Sequence, residues 1–244
     1  SINWARLMPQ IVYYFSAALA LGAPGRKVAF SVPTGNFGNV FAGYVAMRMG
    51  LPVERLIVAS NSNDILTRFF EQGAMQRDVV MPSLSPSMDI QVSSNFERLL
   101  FELMDRDGVA VAGIMDRFAE TGRFELPDSA MTAAHRHFSA YRLDDAGTLA
   151  EIAASMETDG MCLDPHSAVG VSAARRAIAD GTVAADIPVV ALACAHPAKF
   201  GAAVSKATGT TPALPPHLAD LMQRPEKMAK ASASAAAVRD LVLE

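Results

Sequence analysis

Apolar and polar positions alternate along this chain with two periods, and the switches between them mark out the elements. Residues 3–21 carry apolar side chains at helical spacing and predict a helix, interrupted or kinked by Pro9. After the turn "GAPGR", residues 27–32 form a short β-branched and aromatic run that predicts a buried strand. A helix is predicted over 39–49, closed by Gly50 with Pro52 beyond it, and a second strand over 55–59. This β–loop–α–turn–β order implies a right-handed parallel crossover. Further helices are predicted over 64–72, 94–106, 109–120, 129–138 and 145–158, and a strand over 139–142. The segment "VVMPSLSPSMDIQVSS" (79–94) lacks a period and predicts a long loop, a feature often tied to function. "MCLDPHSAVGVSAARRAIADG" predicts a short strand, a loop and a helix ending at Gly181. "DIPVVALAC" (186–194) is the best candidate for a central strand, and "AHPAKFGAAVSKATG" leads from it into a helix. Residues 212–244 predict a proline-punctuated helical tail, with "AKASASAAAV" (229–238) as a surface helix. Alternating strands and helices predict an α/β fold: a doubly wound, mostly parallel sheet with helices on both faces, forming one unit over 1–244.

Composition narrows the classes. A chain of 244 residues can bury a sizeable core in one large or two small domains. Half of it is hydrophobic, yet no run of about 18 apolar residues is free of polar breaks, so no membrane span is expected. A net charge of −4 with scattered basic residues argues against a nucleic-acid surface. Cys162 and Cys194 have no metal-ligand spacing and make no disulfide framework, which fits a reducing cytoplasm and no metal. "SINWARLMPQIVYYFSAALALG" has neither a basic start nor a small-residue cleavage site, and reads as the interior of a longer protein.

The densest chemical signal is "SVPTGNFGNVFAG" (31–43), a glycine loop between a strand and a helix start. Such a junction is an anion site by construction, because unpaired N–H groups and the helix dipole face the loop. Gly35 and Gly38 allow close backbone approach and positive φ, and Thr34, Asn36 and Asn39 add side-chain donors. No lysine opens the helix, so the loop is not a Walker A motif. The spacing is G-x-x-G, not the dinucleotide G-x-G-x-x-G, and no acidic residue ends the second strand. On spacing alone, a tight βα turn without a ligand is the alternative.

"VPTGNFGNVFAGYVAMRMGLP" closely resembles the cofactor-phosphate loop of threonine synthases, pyridoxal-phosphate (PLP) enzymes of fold type II. "SINWARLMPQIVYYFSA", "SPSMDIQVSSNFERLLFEL", "LDPHSAVG" and "AHPAKF" resemble further signatures of that family, in its order, from Ser1 to about Lys227. The resemblance implies conversion of O-phosphohomoserine and water to threonine and phosphate, with PLP as cofactor. It covers only the family's C-terminal half. The Schiff-base lysine of the family lies upstream, and Lys27, Lys199, Lys206, Lys227 and Lys230 do not stand in its context. The missing N-terminal half is therefore an expected partner, and the chain alone is expected to be inactive.

Residue by residue, the resemblance implies that Gly35, Asn36, Phe37, Gly38 and Asn39 bind the cofactor phosphate through backbone N–H groups. Cys194 stands where the family usually has a threonine facing the pyridine nitrogen; a thiol is a weaker partner. Ser1, Asn3, Ser87, Asp89, Asn95, Arg98, His166 and Lys199 are the expected substrate contacts, with Ser85 and Ser94 beside them and Lys199 as the phosphate cation. Bland alternatives stand next to these. Ser93 or Ser94 can be helix caps, Glu97 a capping partner, Arg6 a surface ion-pair residue, His166 a capped structural histidine and Lys199 a solvated lysine. His135, His137 and His217 read as surface residues. Two rival functions remain: another fold type II lyase such as a serine or threonine dehydratase, and a non-catalytic half that binds phosphate or a partner.

Overall fold

The computed structural model describes residues 3–243. The chain divides into two compact units, Ser1–Pro212 and Ala213–Glu244. In the first, α1 (Trp4–Ala20) leads to β1 (Val28–Pro33), α2 (Gly38–Arg48), β2 (Val53–Ser60), α3 (Ile65–Gln72) and β3 (Ala74–Gln76). After an irregular stretch come α4 (Phe96–Leu103), α5 (Gly108–Thr121), β4 (Arg123–Glu125), α6 (Asp128–His135) and β5 (Phe138–Arg142). The unit closes with α7 (Asp145–Asp159), α8 (Pro165–Ala179), β6 (Val189–Ala191) and α9 (Gly201–Thr208). The second unit holds two short 3-10 turns and α10 (Ala235–Leu243). The helix expected over 229–238 therefore begins only at Ala235, where the Ser234 hydroxyl accepts the Ala237 N–H.

Four parallel strands form the sheet in the order β5-β2-β1-β6. Side chains alternate across it with period two. Phe30, Val32, Leu56 and Val58 face the core shared with α1 to α4; Ala29, Ile57 and Ala59 face Val169 and Ala173 of α8. Helices thus cover both faces, as the doubly wound reading expects. The chain moves outward from β1 to β2 and later returns to β1's other side as β6. Between β1 and β6 lies a topological switch point, where open α/β sheets place ligands beyond the carboxyl ends of the strands.

Some local expectations need correction. The run 186–194 forms only the three-residue β6, which is the edge of the described sheet and half-buried, not its centre. No strand precedes α8 at 161–163. β3 and β4 make a separate antiparallel pair that no period in the sequence announces. Pro9 does not end α1, which runs through it.

Two close approaches fix the layers. A Cβ on Gly170 of α8 would lie 2.7 Å from Pro33 Cγ, and the Ser31 hydroxyl donates to the Gly170 carbonyl at 2.6 Å. On the opposite face, a Cβ on Gly43 would lie 2.5 Å from Tyr14 Cε1 and 2.8 Å from Leu56 Cδ2. Tyr14 is wholly buried, packs on Phe30 with ring centroids 4.8 Å apart, and donates its hydroxyl to the Asn39 carbonyl at 2.7 Å.

Gly43→Ala should therefore destabilise the chain by about 1–3 kcal/mol through overpacking. Gly113→Ala, inside α5 with nothing within 4 Å of the new Cβ, should stabilise it by about 0.5–1 kcal/mol. Denaturant unfolding of the two variants checks this pair. Shifts of the same sign would contradict the packing described.

Candidate functional site

Beyond the carboxyl end of β1 the chain turns through Thr34, Gly35, Asn36 and Phe37 into α2. The left-handed residue of this turn is neither glycine but Phe37, with φ 61°. Its ring is fully buried and meets Phe96 edge-on at 5.1 Å and Phe138 at 5.9 Å. Phe37's own N–H donates to the Thr34 hydroxyl at 3.2 Å, so Phe37 anchors the loop and does not serve as an anion donor. Among the described residues no protein acceptor takes the N–H groups of Asn36, Gly38, Asn39 or Val40. Gly35 faces the other way: a Cβ there would lie 3.2 Å from Met88 and Ile90. The sequence needs glycine at 35 for space, and positive φ is taken up next door.

A cleft of about 190 Å³ opens beside the loop at the switch point. Pro33 and Gly35 form one wall, Ser87 and Met88 another, and His166, Cys194 and Lys199 the rest. Five of the sequence-predicted site residues thus meet: Gly35, Ser87, His166, Cys194 and Lys199.

The far wall is organised by Asp164, a buried residue absent from the sequence candidates. It caps α8, and its Oδ1 accepts both the His166 N–H at 2.9 Å and the His166 ring Nδ1 at 3.0 Å. Its Oδ2 accepts the Ser167 hydroxyl and, at 3.3 Å, the Ala195 N–H. Ser167 Oγ in turn accepts the Cys194 N–H at 3.0 Å. One carboxylate therefore ties the start of α8 to the chain leaving β6. Burial alone would push this carboxyl up; hydrogen bonds from His166 and Ser167 outweigh it and hold it below its ordinary value. "DPHS" carried the signal, an N-cap aspartate followed by proline at the first helical position.

His166 is buried, and both ring nitrogens are engaged. Nδ1 faces Asp164, and Nε2 accepts the Ser87 N–H at 3.2 Å. A neutral ring with its proton on Nδ1 satisfies both bonds. The histidine thus holds the 85–88 turn against the cleft, and the expected substrate contact is corrected to that role. Cys194 is exposed at the cleft, yet its thiol is crowded; desolvation first, and Asp164's charge second, push it up to about 12. It keeps its proton near neutrality. Lys199 is exposed, has no ion pair among the described residues and lies with Nζ 5.6 Å from the Phe200 ring centroid.

The other candidates lie elsewhere. Asp89 is spent internally: Oδ1 accepts the Ser83 hydroxyl at 2.6 Å, the Asn61 amide at 2.7 Å and the Asn63 amide at 2.9 Å, and Oδ2 accepts the Ser83 N–H at 2.9 Å. It knots the long loop onto the end of β2 and is not among the residues lining the cleft. Ser85 belongs to the same knot through Asn61. Asn95 is wholly buried, outside the cleft, and bonds the loop at Asn36. Arg98 donates to Asn95 Oδ1 at 3.1 Å and lies over the Trp4 ring, 5.7 Å from its centroid. Asn3 caps α1 by accepting the Ala5 N–H at 2.8 Å. Ser1 lies outside the described residues. His135 is less free than a surface reading expects, with Nε2 2.7 Å from the Phe70 carbonyl. A larger groove of about 810 Å³ runs among α1, α2, α4 and α5, with Trp4, Tyr44, Arg98 and Phe101 in its lining. It contains no residue of the 34–39 turn, whereas the smaller cleft brings Gly35 together with Ser87, His166, Cys194 and Lys199.

The family model described as "Threonine synthase, C-terminal" matches residues 167–242. Threonine synthase of Pseudomonas aeruginosa is 55% identical over 228 residues, covering 93% of this chain and 48% of the relative. That of Corynebacterium glutamicum is 38% identical over 251 residues, covering 100% and 51%. The crystal structure of PLP-bound threonine synthase from Brucella melitensis superposes with a TM-score of 0.89 at 55% identity, over 93% of this chain and 48% of that one. The yeast threonine synthase structure gives 0.90 at 37% identity, over 100% and 52%. The chain spans about half the length of the curated relatives it matches. A fungal L-serine ammonia-lyase, at 8% identity and a TM-score of 0.51, shares the fold alone.

The Asp164 network has a pH signature. Its carboxyl is held low in the folded state, so its stabilisation is complete above the unfolded value of about 3.9 and is lost as pH falls through the folded one. Unfolding free energies of wild type and Asp164→Asn from urea titrations should differ by about 1–3 kcal/mol at pH 6, and the gap should narrow as pH falls below about 4 and close only below the lowered value of the folded carboxyl. A gap that does not narrow at all as the pH is lowered from about 6 toward acid unfolding would show that the carboxylate charge is not what the network uses.

Proposed function

This chain belongs to the threonine synthase family, as its C-terminal portion, and we propose that the intact protein converts O-phosphohomoserine and water to L-threonine and phosphate with pyridoxal phosphate as cofactor. The observation that carries this reading is the convergence, at one switch-point cleft, of Gly35 with the family-like segments around Ser87, His166 and Lys199, next to a loop whose following amides lack protein acceptors. Similarity to threonine synthases over nearly the whole chain supports the same substrate and disfavours the dehydratase alternative, which rests on fold alone.

The residues present fit the cofactor's phosphate. The amides of Asn36, Gly38, Asn39 and Val40 lack protein acceptors, and the start of α2 adds its dipole. These groups would hold the phosphate without a lysine, and the Cys194 thiol would face the ring as a weak donor. When bound, the cofactor supplies an electron sink for the substrate's carbon skeleton. The chain's own residues bind and orient. Ser87 and His166 set one wall, Asp164 keeps that wall registered to the chain after β6, and Lys199 places a positive charge where the leaving phosphate gathers charge.

The partner is the family's N-terminal half, which would carry the covalent lysine. An exposed apolar stripe along α1 (Trp4, Met8, Val12 and Leu19) and the edge of β6 in the described sheet supply surface for it to cover. Among the described residues no helix is long and apolar enough to cross a membrane. We place the protein in the cytoplasm and the isolated chain among inactive halves.

Two measurements test the reading. Borohydride reduction of the isolated chain with PLP should label no single lysine; specific reduction onto one lysine of this chain would overturn the division of labour. In the full-length protein, Lys199→Ala should lower kcat/KM for phosphohomoserine about 10- to 100-fold, the range expected for a lost bond to a charged group. Its affinity for PLP should stay near wild type, since the cofactor phosphate has its own loop. Near-wild-type kcat/KM would return Lys199 to the solvent.

A further inference from the structure

We propose that Ser93 and Asn95 are positioning residues for the glycine loop: they hold its carbonyls away from the anion, so that its N–H groups face it. The inference rests on the cofactor reading of that loop. Neither residue lines the cleft, and their contribution is made entirely through Gly35 and Asn36.

The Ser93 hydroxyl donates to the Gly35 carbonyl at 2.7 Å. Asn95 donates twice to the Asn36 carbonyl, from its backbone N–H at 3.1 Å and from Nδ2 at 3.0 Å. In a trans peptide the C=O of one residue and the N–H of the next point to opposite sides. Pinning the Gly35 carbonyl toward Ser93 therefore turns the Asn36 N–H away from it, where it has no protein acceptor. Pinning the Asn36 carbonyl directs the Phe37 N–H to its bond with Thr34 and sets the left-handed step from which α2 starts. A carbonyl rotated toward the phosphate would repel it; three donors from one short segment prevent that rotation.

The clamp is itself oriented. Asn95 is fully buried, and its Oδ1 accepts Arg98 Nε at 3.1 Å. Arginine donates and never accepts, so the amide must present Oδ1 to Arg98 and Nδ2 to the loop. Phe96, the next residue, packs against Phe37, so the bracket and the loop share one aromatic anchor. Arg98, an expected substrate contact, bears on the loop through Asn95.

The test compares PLP with pyridoxal, which lacks the phosphate, by titrating both into the full-length apo-protein. Ser93→Ala should weaken PLP binding at least about tenfold and leave pyridoxal binding within about twofold, with the apo-protein's melting temperature nearly unchanged. Asn95→Ala should do the same more strongly; if it fails to fold, Ser93→Ala decides. Equal weakening of both ligands, or unchanged PLP affinity in folded variants, would overturn the clamp. Gly38→Val is the reference, because it obstructs the loop itself. If it abolishes the preference for PLP over pyridoxal while Ser93→Ala and Asn95→Ala do not, the clamp alone fails. If Gly38→Val also leaves the preference intact, the cofactor reading of the loop fails, and the clamp with it.

Discussion

A left-handed phenylalanine holds this site together. Phe37 takes a backbone conformation that L-residues with a Cβ seldom adopt, and the cost is offset by burying its ring between Phe96 and Phe138. That one wedge fixes where β1 ends, where α2 begins and which amides are left over. It also joins three distant parts of the chain: the glycine loop, the start of α4 and the strand β5. The glycines around it serve a different purpose from the usual one. Gly35 gives room beside Met88 and Ile90, and the turn's handedness comes from the aromatic core.

The opposite wall of the cleft is held by charge and hydrogen bonding. Asp164 satisfies four donors from three residues and places β6's exit strand over the start of α8. His166, the residue most easily read as a proton donor, is a strut within that network. The two walls use opposite physics, an aromatic wedge and a buried carboxylate, and the groups left to meet a ligand are those that neither wall consumes.

Much of this was legible beforehand, for identifiable reasons. Strands β1 and β2 and most helices follow from hydrophobic period, because that period records burial directly. The strand at 186–194 misled for the same reason. Its continuous apolar run reads as burial on both sides, whereas in the described sheet β6 is a half-buried edge. β3 and β4 are too short to carry a period. Among site residues, glycines and the "DPHS" cap could be read, since backbone geometry constrains their identity. Asp89, Asn95 and Arg98 could not be sorted, because a polar side chain in a loop looks the same whether it meets a ligand or its own neighbours. Tyr14, which reaches Asn39 across two helices, left no local trace at all.

The parallel pairing of β1 with β6 also orders events in time. Ala29 lies opposite Val189, while Val28 lies opposite Val53. The glycine loop needs Phe96, Phe138 and the Ser93–Asn95 bracket, so it can form only once about the first 140 residues have collapsed; the wall bearing Cys194 and Lys199 needs a contact spanning most of the unit, and such long-range closures come later still. A folding chain would therefore own an anion cradle before it owns a pocket. Ligand arriving in that interval would find phosphate recognition without selectivity for what the phosphate is attached to, and the last strand to dock is the one that confers discrimination.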